Sequence, residues 1–97
     1  MKLLTKALLR KLPPLYSQEE KGLDAVARVK FFTPDSDFTW WASEFDGEDL
    51  FFGVVHGAER ELGYFRLSEL KEIRGVLGLP VERDRYYRPK TLRELMG

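Results

Sequence analysis

Hydrophobic positions divide the chain into helical ends and an extended middle. At the start, Leu4-Thr5-Lys6-Ala7-Leu8-Leu9-Arg10-Lys11-Leu12 reads as a short helix. Thr5 is its expected N-cap, because a hydroxyl there accepts a backbone N–H of the first turn. Leu4 before the cap and Leu9 inside the helix fit a hydrophobic staple. Lys6 and Arg10 fall one turn apart, on a face separate from Leu8 and Leu12. Pro13-Pro14 end the helix, since neither supplies an N–H. Ser17-Gln18-Glu19-Glu20 follows as a capping-box pattern and predicts a single turn that stops at Gly22.

From Ala25 to Leu67 the period changes to two. Ala27-Arg28-Val29-Lys30-Phe31 alternates apolar and basic residues, the mark of a half-buried strand. After a loop at Thr33–Asp37, Phe38–Phe45 is rich in β-formers. Asp46-Gly47 predicts a hairpin, because both positions tolerate positive φ. Leu50–His56 is the partner strand, Gly57–Arg60 a second turn and Glu61–Leu67 a further strand. Such short connections force antiparallel neighbours. Ser68 is then the expected cap of another helix, with Leu70 and Ile73 on its buried side and Gly75 as a left-handed stop. Val76–Val81 is an apolar connector without a period. Thr91-Leu92-Arg93-Glu94 is a last capping box before a final helical turn. These elements predict a single α+β domain over residues 1–97. Its sheet is an antiparallel meander of about four strands, with short helices packed on one face.

Composition narrows the class. The chain has 97 residues, 43% of them apolar and 13% aromatic, which excludes a disordered tail. It has no cysteine, so a disulfide framework, a thiolate zinc site and a cysteine nucleophile are excluded. No apolar run is long enough to span a membrane and no secretory leader is visible, so a cytoplasmic protein is expected. Asn is missing, Gln18 and Ile73 are single, and a third of the chain is charged. That pattern is a thermophile-like composition and points to heat adaptation, with GC-rich coding as the alternative reading.

Charge is balanced in total, with 16 Lys+Arg against 16 Asp+Glu, but not along the chain. Residues 1–12 hold Lys2, Lys6, Arg10 and Lys11 and no acid. Residues 83–97 hold Arg83, Arg85, Arg88, Lys90 and Arg93 against Asp84 and Glu94. Residues 31–59 hold seven acids and no Lys or Arg. Chain termini tend to lie close together, so the basic ends are expected to share a face. Arg83, Arg85 and Arg88 interleaved with Tyr86 and Tyr87 suit a single strand of nucleic acid, with Arg on phosphates and Tyr on bases. The alternative is that the tyrosines pack on the core and keep their hydroxyls wet. Lys6 and Arg10 would extend such a basic surface. Glu44, Asp46, Glu48 and Asp49 surround one turn and are weak candidates for a hard cation, since their spacing matches no calcium loop. A solvated turn or a contact for a basic protein partner are the other readings. Trp40 and Trp41 point to opposite faces. One fills the core, and Trp41 is the candidate for the second face, covered by a terminal segment or by a partner such as a second copy. His56 is the only histidine, and no nucleophile elbow or glycine-rich phosphate loop accompanies it. No catalytic residue and no cofactor is implied.

Phe31-Phe32-Thr33-Pro34, Trp40, Glu44-Phe45-Asp46-Gly47-Glu48-Asp49, Phe52-Gly53, Glu61-Leu62-Gly63-Tyr64-Phe65 and Gly78-Leu79-Pro80-Val81-Glu82-Arg83-Asp84 occur in that order. Together with Met1-Lys2-Leu3-Leu4-Thr5, Leu12-Pro13 and Leu15-Tyr16, this string resembles the bacterial domain-of-unknown-function family twenty-nine fifty-eight over nearly the whole chain. Arg66, Phe38 and Trp41 depart from its pattern. The resemblance implies a setting, since such proteins are often carried on plasmids, phages and other mobile elements, and it implies no activity. The expected function is a non-catalytic binding or interaction module associated with mobile DNA. A single-stranded nucleic-acid binder and a metal-dependent nuclease are the alternatives.

Overall fold

Alternation in the middle of the chain becomes a sheet in a computed structural model that describes residues 2–97. Met1, which opens the family-like string, lies outside the described residues. In chain order the elements are α1 (Lys6–Lys11), a 3-10 segment (Glu19–Asp24), β1 (Val26–Ala27), β2 (Val29–Phe32), β3 (Thr39–Phe45), β4 (Leu50–His56), β5 (Arg60–Arg66), α2 (Leu67–Glu72), β6 (Glu82–Arg83), β7 (Lys90–Thr91) and α3 (Leu92–Met96). The class is α+β. β2 to β5 form the antiparallel meander, with spatial order β5-β4-β3-β2-β6. The sheet has five strands rather than four, because β6 joins β2 antiparallel with Arg83 opposite Phe31. β1 and β7 form a separate pair, with Val26 opposite Thr91. Two-residue strands show no alternation of their own; an open neighbouring edge specifies them.

The helices do not gather on one face. On one side Phe31, Trp40, Phe45, Phe51 and Phe65 meet Leu3, Leu12 and Leu70. Phe51 is fully buried at the centre, its ring centroid 4.4 Å from Phe45, 5.1 Å from Phe65 and 5.6 Å from Phe31. On the other side Trp41 and Val54 meet Ala25, Ala27, Leu92 and Leu95. Consecutive apolar residues at Trp40-Trp41 and Val54-Val55 make both faces of the central strands hydrophobic, so both need cover. α1 and α2 supply it on the phenylalanine side, and α3 on the other.

β3 contains a bulge. Ala42 lies opposite Gly53, but Glu44 lies opposite Phe52, leaving Ser43 as the extra residue. One extra residue resets the two-residue alternation. Glu44 therefore turns to the α3 side, and Phe45 returns to the phenylalanine core.

The helix ends depart from their expected caps in instructive ways. Thr5 caps α1 as expected, accepting the Leu8 N–H at 3.2 Å. Leu9 is exposed, so no staple forms; Leu8 faces the core instead. Ser17 donates its hydroxyl to the Pro14 carbonyl and caps nothing, whereas Gly22, outside helical backbone at φ +52, ends the first turn as expected and a second turn follows it to Asp24. Arg66, not Ser68, occupies the N-cap of α2. The hairpin turn holds that helix start: Asp49 accepts the Ser68 N–H at 2.8 Å and its hydroxyl at 2.9 Å. At that turn only Gly47 adopts positive φ, at +89; Asp46 contributes its side chain instead. Gly75 is not the left-handed stop, since α2 ends at Ile73 in extended backbone. Its lack of a side chain makes room for Asp35, whose Oδ1 would lie 1.5 Å from a Cβ there. At α3 the capping box forms, with Thr91 and Glu94 exchanging backbone N–H bonds of 3.1 Å. Among the described residues no helix is long and apolar enough to cross a membrane.

Candidate functional site

The two basic ends of the chain meet. β6 lies at the sheet edge, and from it Arg83 donates to the carbonyls of Lys2 and Leu3 at 2.8 and 3.1 Å. This seats the N-terminal segment beside the tail. Between α1 and the tail runs a groove of about 600 Å³, lined by Leu8, Lys11, Arg28, Val29, Arg83, Asp84, Arg85 and Tyr87 among others. Asp84 is the one acid in its wall, and Lys30 pairs with it at 3.6 Å. Lys11, Arg28, Arg83 and Arg85 therefore dominate the local field. Arg85 and Arg28 are exposed, and so is Tyr86, with 87% of its surface free.

The remaining predicted residues divide sharply. Lys6 and Arg10 are exposed on α1 but do not line the groove, and Arg88 is exposed beyond it. Tyr87 is not a free stacking ring: its hydroxyl donates to the Ala27 carbonyl at 3.0 Å and accepts the Lys90 N–H at 3.2 Å. Desolvation raises that phenol above its usual range, against the lowering bond from Lys90. Trp41 is not a contact surface either. It is buried beneath α3, with Lys30 Nζ 6.0 Å and the Arg60 guanidinium 5.5 Å from its ring. Arg60 also donates to the Leu95 carbonyl and so ties α3 down over the indole. Arg28 carries no motif of its own, and the only sequence signal for its place in the groove is its outward position in the Ala27–Phe31 alternation.

The four acidic candidates do not converge on a cation. Asp46 Oδ1 accepts the N–H groups of Glu48, Asp49 and Leu50 at 2.8, 2.8 and 3.0 Å. Those bonds, the one from Asp49 foremost, hold its carboxyl below the usual range. Asp49 is held low by its bonds from Ser68 and by Arg66, 3.6 Å away. Glu48 is exposed, and Glu44 is buried on the α3 side. A tight turn leaves backbone N–H groups without strand partners, and these carboxylates satisfy them. Among the described residues no three His, Asp or Glu side chains stand together as metal ligands.

A second concavity went unread in the sequence. A cup of about 290 Å³ opens beside β5, with Glu44, Ser43, Phe52 and Leu92 within and Tyr16, Glu19, Leu23, Leu62 and Tyr64 around it. The Glu44 carboxylate accepts the N–H of Tyr16 on Oε1 and of Gln18 on Oε2, both at 2.9 Å. Tyr16 is the one non-glycine among the described residues at positive φ, +70, and Glu44 holds it there. Phe52 and Tyr64 pack with ring centroids 5.0 Å apart. Desolvation raises the Tyr64 phenol, with Tyr16, Glu19 and Glu44 adding in the same direction.

No curated protein and no solved structure matches the chain. A family model does, over residues 3–94, a span that contains every strand and both concavities. The chain belongs to the family described as a protein of unknown function, DUF2958.

Proposed function

We propose that this protein is a non-catalytic binding module whose groove between α1 and the tail takes the backbone of a single strand of nucleic acid. One observation carries the reading: Lys11, Arg28, Arg83 and Arg85, from three separate stretches of chain, line one open channel whose only acid is paired. Cations arrayed along a channel attract consecutive phosphates and release counterions. Exposed Tyr86 beside them offers a ring on which a base can stack. The reading is of binding rather than cleavage, because Asp46 and Asp49 are engaged by backbone N–H groups of the fold. The mobile-DNA setting is supported by the family resemblance alone.

The test is binding of a fluorescent single-stranded oligonucleotide across a salt series. Affinity should fall with salt, with a log–log slope near −0.7 for each phosphate neutralised, a slope of about −2 for three contacts. The Arg28→Ala, Arg85→Ala double variant should flatten that slope by about 1.4 while the melting temperature stays put. Tyr86→Ala should weaken binding by about tenfold, the loss of one stacked base. No retardation of an oligonucleotide at low salt removes the proposal.

A further inference from the structure

The acidic cup is built for a different ligand from the groove. None of the residues lining it is Lys, Arg or His. Glu44 is 3% exposed, yet each of its carboxylate oxygens accepts only one backbone N–H. An oxygen of an ionised carboxylate has two acceptor sites, so each retains one. Glu19 adds a second negative charge at the rim, and the aromatic rings of Tyr16, Phe52 and Tyr64 line the same space. Leu23 and Leu62 complete an apolar wall. Aromatic faces and a carboxylate both attract positive charge, more strongly where water is excluded. A volume near 290 Å³ suits a small molecule or one long side chain.

We infer that this cup binds an organic cation, a primary ammonium or guanidinium carried on an aliphatic stem. The stem lies along Leu23, Leu62 and the rings, and the head reaches the free acceptor sites of Glu44. Such a head is found on a free diamine and on a lysine or arginine side chain of a peptide. The inference does not rest on the nucleic-acid reading, since it uses another face and the opposite charge.

Calorimetric titration at neutral pH tests it, with 1,4-diaminobutane, 1,4-butanediol and blocked peptides carrying one lysine or one arginine. Saturable binding of the diamine or of either peptide, without binding of the diol, supports the cup. Diamine binding points to a free amine as the source, and peptide-only binding to a protein side chain. Leu62→Arg places a cation at the mouth from a half-exposed edge-strand position, so the fold should survive it. It should weaken the bound probe by about tenfold or more, and Tyr64→Ala should weaken it as well. Circular dichroism and an unchanged melting temperature confirm that both variants are folded. Equal binding of diol and diamine, undiminished binding to Leu62→Arg, or no binding of any cation at millimolar concentration overturns the inference.

Discussion

A single hydrogen atom in place of a side chain decides how closely β3 and β4 approach at the bulge. A Cβ on Gly53 would lie 1.8 Å from the Trp41 carbonyl oxygen and 2.8 Å from its carbon. These are backbone atoms in the middle of a ladder, so they cannot turn aside as a side chain would. Gly63 faces Gly53 across β4 and β5, and nothing lies within 4 Å of a Cβ there. Two adjacent glycines in one sheet thus carry opposite expectations. Gly53→Ala should destabilise the protein by about 3 kcal/mol, the upper range for forced overpacking. Gly63→Ala should change stability by less than about 1 kcal/mol, and in the stabilising direction, because it restricts the unfolded chain. Urea unfolding of both variants decides the matter; equal midpoints would mean that the close contact at Trp41 relaxes without cost.

At the scale of elements, legibility in the sequence followed the range of the interaction that fixes each one. β4 appears residue for residue where alternation and the Asp46-Gly47 turn predict it, and β3 differs only in starting at Thr39. The caps at Thr5 and at Thr91–Glu94 were readable because donor and acceptor lie three residues apart. The start of α2 was not, because Asp49 reaches it from 19 residues away. The Ser43 bulge left no mark in composition, and with it went the burial of Glu44 and the whole acidic cup. Of the basic surface, the charges were legible and their commitments were not. Arg83 bonds to Lys2 and Leu3, and Tyr87 to Ala27, across 60 residues or more. α3 shows the same dependence on distant partners. Five residues make too short a helix to stand alone, so packing must supply its stability. Leu95 is 5% exposed and belongs to the cluster that covers Trp41. Leu95→Ala should cost about 3 kcal/mol, as buried Leu truncations do. In a Trp40→Phe background the remaining indole emission should move to the red as α3 loosens. Unshifted emission together with unchanged stability would show that α3 does not cover Trp41.

For the whole molecule, acid response follows from where its carboxylates are placed. Asp46 stabilises the hairpin turn, Asp49 the start of α2 and Glu94 the start of α3. Each is held below its ordinary range, first by a backbone N–H: that of Asp49 for Asp46, of Ser68 for Asp49 and of Thr91 for Glu94. A carboxyl with a lowered folded pKa binds fewer protons folded than unfolded, so stability rises with pH across that interval. The contribution is complete above the ordinary carboxylate range and is lost as pH falls through the lowered folded values. Tyr64 and Tyr87 have raised values, so the sign reverses: their neutral forms suit the fold, and stability falls as pH rises through the ordinary phenol range. Stability should therefore be level near neutrality and decline at both ends. Melting temperatures from pH 7 down to about pH 2.5 test the acid limb, which should steepen below about pH 4. Asp46→Asn with Asp49→Asn keeps an acceptor oxygen at each position and removes the charge. That variant should melt lower than the natural chain at pH 7 and lose less on acidification, so the two curves converge. Parallel curves would mean that these turn carboxylates do not link folding to protons, and that acid acts elsewhere on the chain.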